Sequence, residues 1–135
     1  MTRRMLVVFA ACLVGTVTAP SQPTETPTPG KPREAKPPLV TFVELGSVKC
    51  LPCRQMQPVM AAIGKKYGDQ VAVVFHDVWK AEEHDYAEEY GIRVIPTQVF
   101  LDANGKEFFR HEGFYPEAEI DRLLQKRGLK VRAGS

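Results

Sequence analysis

Residues 39–45 (LVTFVEL) form a β-rich and almost continuously apolar run, and two cysteines follow it closely. Successive side chains of a strand point to opposite faces of a sheet, so a run in which nearly every residue is apolar is typical of a strand covered on both faces. The run therefore predicts a strand buried in a mixed sheet. Glu44 is a charge inside this strand and requires an explanation.

The apolar pattern then alternates between helix and strand spacing. Met56, Met60, Ile63 and Tyr67 recur at intervals of three and four, which indicates a helix with one apolar face. The predicted elements are a helix over residues 52–67 kinked at Pro58, a strand over 71–75, a short acidic helix over 81–90, antiparallel strands over 97–101 and 107–111 around an Asn-Gly turn, and a last helix over 116–127. Their order, βαβαββα, indicates an α/β domain with a four-stranded mixed sheet flanked by helices.

Length and composition limit what the chain can do. Its 135 residues suffice for one compact domain and leave no room for a second of ordinary size. The formal net charge is +2 and charges of both signs are interspersed, so we expect no nucleic-acid partner. Three cysteines are too few for a disulfide-stapled scaffold. Because Cys12 falls in the N-terminal segment, Cys50 and Cys53 remain as a single pair.

The first 38 residues have a different composition from the rest. Residues 1–19 resemble an export signal, because Arg3 and Arg4 precede an apolar run that is short for a membrane span. We favour a cleaved signal peptide; an uncleaved membrane anchor or lipid attachment at Cys12 are the alternatives. The Pro/Thr-rich residues 20–38 predict a disordered linker. We therefore expect a folded domain over 39–130, a tail over 131–135 and a periplasmic or other extracytoplasmic location.

The segment Lys49-Cys50-Leu51-Pro52-Cys53 carries the candidate chemistry. At the start of the predicted helix, the first sulfur lies beside free backbone N–H groups and the positive end of the helix dipole, and both favour a thiolate. A thiolate attacks disulfides and a thiol does not. Cys50 is therefore the candidate nucleophile and Cys53 the resolving cysteine, with Lys49 and Arg54 adding positive charge that favours the thiolate.

These residues resemble the thioredoxin superfamily over about residues 39–124. The resemblance rests on the CxxC followed by Pro58, on the segment Gly91–Thr97 (GIRVIPT) and on the glycines of the hairpin and of the position after the last strand. It implies a minimal thioredoxin-like fold, without the extra N-terminal strand and helix of the family, and a cis Ile95–Pro96 bond that faces the cysteines. The substrate groove implied by the resemblance is lined by Leu51, Pro52, Ile95, Pro96 and Gly113.

The resemblance also implies a role for Glu44. It stands six residues before Cys50, where thioredoxins carry a buried aspartate that relays a proton to the resolving cysteine. A buried carboxyl there should have a raised pKa and accept the proton of Cys53, whereas the alternative is a strand-end glutamate turned to solvent. The lysine that commonly pairs with this acid corresponds to Val73. Lys49 and Leu51 replace the usual tryptophan and glycine, so partner choice is expected to differ.

We therefore expect a monomeric thiol–disulfide oxidoreductase that acts on protein disulfides outside the cytoplasm, as a reductant, with no cofactor beyond its own redox-active disulfide. An exported reductant implies a membrane thiol transporter as its electron donor. An oxidase or isomerase is the alternative within this class. The non-enzymatic alternative is a metal site in which the cysteines are joined by a histidine, the candidates being His76, His84 and His111.

Overall fold

The computed structural model describes residues 36–134, which lie in one compact unit, Glu34–Ser135. The predicted signal or anchor and most of the predicted linker fall outside the described residues. No helix within residues 36–134 is long and apolar enough to cross a membrane.

The predicted order of elements is confirmed. The strands are β1 (Val40–Gly46), β2 (Val71–Asp77), β3 (Thr97–Asp102) and β4 (Glu107–Glu112), and the helices are α1 (Leu51–Tyr67), α2 (Asp85–Glu89) and α3 (Glu117–Lys126), with one 3₁₀ turn at Gly68–Gln70. The sheet order is β2-β1-β3-β4. Only the β1–β2 pair is parallel, since β1–β3 and β3–β4 are antiparallel. The fold is the expected α/β arrangement with a four-stranded mixed sheet.

Strand β1 is central in this sheet and buried along most of its length. On one face, Phe42 stacks on Phe100 of β3 with 4.7 Å between ring centroids, and the cluster continues into α1 and α3. On the other face, Val43 and Leu45 pack with Val78 and Val99. Burial on both faces explains why the β1 sequence is apolar almost throughout.

Helix α1 begins immediately after Cys50 and ends at Gly68, whose φ of 54° favours glycine. It continues through Pro58, and its buried side chains include Met56, Ile63 and Tyr67, as the spacing predicts. At its C-terminal end, Lys66 donates hydrogen bonds to Glu117 and Asp121 of α3. These ion pairs attach α3 to the helix that carries the cysteines.

One predicted element is wrong in extent. Helix α2 covers only Asp85–Glu89, because the residues before it form consecutive turns rather than a helix. In those turns, Lys80 N–H donates to Asp77 C=O and the Glu83 side chain accepts a hydrogen bond from the Asp77 N–H. The carboxylate of Glu83 thus binds the end of β2, which holds the segment in turns.

Candidate active site

Cys50 is the N-cap residue of α1 and is 8% exposed. It forms a disulfide with Cys53, with 5.3 Å between the two Cα atoms. The Cys50 Sγ atom accepts a hydrogen bond from the Cys53 backbone N–H at 3.4 Å. When the disulfide opens, this N–H and the helix dipole favour negative charge on the Cys50 sulfur.

Cys53 is fully buried beneath β1. A Cβ added at Gly46 would lie 3.1 Å from the Cys53 Cβ and 3.3 Å from its Sγ, so only glycine lets the strand approach this closely. The two sulfurs therefore differ in access: Cys50 lies at the surface edge of the site and Cys53 in the core. This asymmetry is what attack by one cysteine and resolution by the other require.

Glu44 lies behind Cys53 and is buried, not turned to solvent. Burial raises its pKa to about 8, and the Gln98 side chain opposes the rise. A Cβ added at Gly46 would lie between the two groups. It would be 3.5 Å from the Glu44 Oε1 atom and 3.3 Å from the Cys53 Sγ atom. The carboxyl and the sulfur are therefore no more than about 7 Å apart, a gap that bound water can bridge.

Glu44 has one apolar and one polar neighbour in the sheet. The expected counterpart of the family lysine, Val73, pairs with Phe42, whereas Glu44 lies between Phe75 of β2 and Gln98 of β3. Sequence reasoning missed Gln98, although a glutamine inside the apolar run of β3 was a signal. The polar neighbour of the buried acid is thus an amide on β3, on the opposite side of β1 from Val73.

The Ile95–Pro96 peptide bond is cis, and the Pro96 C=O accepts a hydrogen bond from the Gly113 N–H at 2.8 Å. Because β3 begins at Thr97, the peptide groups of Ile95 take no part in the sheet. Thr97 pairs with Leu45, so the next residues along, Pro96 and Gly46, lie opposite each other. Since Gly46 touches Cys53, the cis-proline and the cysteines belong to one site.

Exposed apolar side chains surround this site. Leu51 is 62% exposed and Trp79 60%, and three more are exposed on the segments that flank the cysteines, the cis-proline and Gly113: Val48, Val94 and Phe114. Trp79 and Val94 also line a cavity of about 370 Å³ that reaches Ile95. The sequence predicts Leu51 in the groove, whereas the exposure of the other four side chains depends on tertiary packing.

Asp77 joins two of these segments. Its buried carboxylate accepts hydrogen bonds from the Val48 N–H at 3.3 Å and the Trp79 N–H at 3.2 Å. Burial opposes ionisation of Asp77, but hydrogen bonds from Ser47, Val48 and Trp79 hold its pKa below the ordinary range. The carboxylate therefore fixes the turn that leads into Cys50 against the turn that presents Trp79.

The predicted charged neighbours and the histidines lie apart from this core. Lys49 and Arg54 are exposed, so solvent screens their effect on the Cys50 sulfur. His76 stacks on Tyr86, His84 is exposed beside Asp85, and His111 stacks on Tyr115. Within residues 36–134, no three His, Cys, Asp or Glu side chains are grouped so as to hold a metal ion.

The site combines a disulfide at the start of a helix, one accessible sulfur and a cis-proline at the end of a mixed sheet. This combination is suited to thiol–disulfide exchange, and the class of protein it defines is one that carries out this reaction. The family model for the thioredoxin-like domain matches residues 31–128. The chain therefore belongs to the thioredoxin-like family, and it is a thiol–disulfide oxidoreductase in that general sense.

Curated relatives and solved structures agree with this assignment. The chain is 38% identical over 86 residues to Thioredoxin 1 of Synechococcus elongatus, covering 63% of this chain and 77% of that protein. It is 33% identical over 93 residues to the chloroplastic Thioredoxin Y of rice, covering 69% of this chain but only 52% of the rice protein. The structure of a thioredoxin from Nicotiana alata superposes with a TM-score of 0.55 and 33% identity, over 64% of this chain and 71% of that one.

Proposed function

We propose that this chain reduces disulfide bonds of proteins outside the cytoplasm through the Cys50–Cys53 pair. The observation that carries the proposal is the unequal access of the two sulfurs, since Cys50 caps a helix at the surface edge while Cys53 is fully buried. In this arrangement the Cys50 sulfur reacts with the client, and the Cys53 sulfur lies behind it and reacts only with Cys50. Residue roles within the pair follow from that difference.

The reaction proceeds by two exchanges of sulfur–sulfur bonds. The Cys50 thiolate attacks one sulfur of the client disulfide, which forms a mixed disulfide and releases the other client sulfur as a thiolate that takes up a proton. Cys53, once deprotonated, attacks the Cys50 sulfur, forms the Cys50–Cys53 disulfide and releases the second client thiol. Two electrons pass to the client, and a second dithiol must supply two more to the Cys50–Cys53 disulfide, becoming a disulfide itself, before the next cycle.

Glu44 is the proposed acceptor of the Cys53 proton. Burial raises its pKa to about 8, which makes the basicity of the Glu44 carboxylate more similar to that of a thiolate. A carboxylate with an ordinary pKa would be a much weaker base. The separation of at most about 7 Å is compatible with transfer through water.

A protein client is favoured by the surface around the cysteines. The Ile95 peptide groups lie outside the sheet and are positioned to pair with an extended client segment. Pro52 and the half-buried Gly113 border the same edge, together with the exposed Leu51 and Trp79. An apolar surface of this kind suits a segment of partly unfolded protein better than a small polar disulfide.

The direction of electron flow and the location rest on the sequence. Pro52 before the second cysteine resembles the reducing thioredoxins, and residues 1–19 have the pattern of an export signal. A reductant outside the cytoplasm needs electrons from within, so the proposed donor is a membrane thiol transporter. An oxidase or isomerase of exported proteins is the competing assignment.

The reduction potential of the Cys50–Cys53 pair tests the direction. We expect a value near the −270 mV of thioredoxin, measured by equilibration with dithiothreitol and followed by Trp79 fluorescence; a value near −120 mV would make the chain an oxidant. A reporter enzyme that functions only in the cytoplasm, fused to the C-terminus, tests the location. Activity of this fusion would contradict export. Reduction of insulin by dithiothreitol, with Cys50→Ser as the inactive control, tests for protein clients.

A further inference from the structure

Two facing polar side chains in the core have no ordinary hydrogen-bond partner. Glu44 and Gln98 pair across β1 and β3 and are both fully buried. Within the described part of the chain, neither oxygen of the Glu44 carboxyl, nor the oxygen or nitrogen of the Gln98 amide, makes a hydrogen bond of ordinary length and angle. Buried polar atoms without partners are rare and cost free energy, so the pair needs a reason to be there.

The surroundings offer Glu44 no other polar partner from the sheet. Phe75 is its neighbour on β2. Two residues further along β1, the side chain that lies nearest to Gly46 is that of Cys53 in α1. His111 of β4 pairs with Gln98, but its ring stacks on Tyr115 and its Nε2 lies 3.2 Å from the Phe114 C=O. Among residues 36–134, burial and the Gln98 side chain shift the pKa of Glu44 and no charged residue contributes.

An amide differs from a lysine as a partner for a buried acid. Its NH₂ group donates to a carboxylate, and its C=O accepts from the O–H of a carboxylic acid, whereas an ammonium group can only donate. The last torsion of glutamine is broad and roughly two-fold, so the amide can turn over at little cost. Gln98 is therefore able to form a hydrogen bond with both the ionised and the protonated carboxyl of Glu44 from the same position.

We propose that Gln98 is a positioning residue for the buried acid, whose amide turns over to hydrogen-bond Glu44 when it is ionised and again when it is protonated. The inference rests on the proposed role of Glu44 in taking up the Cys53 proton. During resolution the proton moves from the Cys53 thiol to the Glu44 carboxylate, and the amide exchanges its donor for its acceptor. The proton returns to solvent after the client has left, and the amide turns back.

Titration of Glu44 in the full chain, followed by carboxyl ¹³C NMR, tests the inference. Gln98→Met keeps the length of the side chain and removes the amide. The ionised form of Glu44 then loses a hydrogen bond to a charged group and the protonated form loses a weaker, neutral one, so we expect the Glu44 midpoint to rise by about one pH unit. Gln98→Lys adds a positive charge and should lower the midpoint. The matched control is Gln125→Met on the exposed surface of α3, which should leave it unchanged.

An unchanged midpoint in both Gln98 variants would overturn the inference, as would a lower midpoint in Gln98→Met. A role in packing alone would alter stability in Gln98→Met without moving the Glu44 titration. The titration needs neither client nor electron donor, so it is separate from the proposed function. Another outcome is that the midpoint moves as expected while Glu44→Gln leaves the pH profile of mixed-disulfide resolution unchanged. That result would support the interaction between Gln98 and Glu44 and refute the uptake of the Cys53 proton by Glu44.

Discussion

The buried carboxyl of Glu44 contributes a pH-dependent part to the stability of the protein, and replacing this carboxyl should remove that part. Its pKa is raised from 4.5 to about 8 by burial. A raised folded pKa means that the folded state binds more protons than the unfolded state between these values. The contribution of Glu44 to stability is therefore fully present below pH 4.5 and is lost as the pH rises through 8.

The size of the effect follows from the two pKa values. One pKa unit corresponds to about 1.4 kcal/mol, so the loss relative to acid pH is about 3 kcal/mol at pH 7 and about 5 kcal/mol at pH 9. Glu44→Gln keeps the shape of the side chain and cannot ionise. The free energy of unfolding of Glu44→Gln relative to that of the original chain should therefore rise by about 4 kcal/mol between pH 5 and pH 9.

Urea unfolding of the oxidised protein at several pH values measures this difference, because each value compares two chains under the same conditions. The control is Glu82→Gln, which removes an exposed carboxyl and should give a constant difference across the range. A difference for Glu44→Gln that changes by less than about 1 kcal/mol from pH 5 to pH 9 would refute the reasoning, because the carboxyl would then be solvated or paired in the folded state.

Three further predictions concern the site and its support. Cys53→Ser should accumulate a mixed disulfide with a protein client at Cys50, detected on non-reducing gels, and Cys50→Ser should not. Gly46→Ala should lower the free energy of unfolding by about 1–3 kcal/mol, because its methyl group would press on Cys53. The control is Gly64→Ala in the interior of α1, where the contacts are ordinary, and it should raise the free energy of unfolding by about 0.5–1 kcal/mol. Equal effects of the two substitutions would contradict the close contact between Gly46 and Cys53. Asp77→Ala should raise KM for a protein client more than it slows reaction with a small disulfide, and an equal loss with both would argue against a role in presenting the client surface.

Much of the fold was predictable because it depends on local patterns. The period of the apolar residues predicted β1, α1, β2 and α3, and the Asn-Gly turn predicted the β3–β4 pair. A CxxC at the start of a helix predicted the placement of Cys50 at an N-cap. The extent of α2 was not predictable, since its acidic residues suit a helix. The structure holds the residues before α2 in turns because Glu83 binds the end of β2.

The sequence by itself determined the class of the site, because the spacing of two cysteines, a proline and a glycine-bounded Ile-Pro segment is local information. Only the tertiary structure decided which groups surround the buried acid. The register between β1 and β3 sets Gln98 beside Glu44, and the register between β1 and β2 sets Phe75 on its other side. Register shifts by one residue move a side chain to the other face of a sheet, so such contacts arise only when the strands have paired.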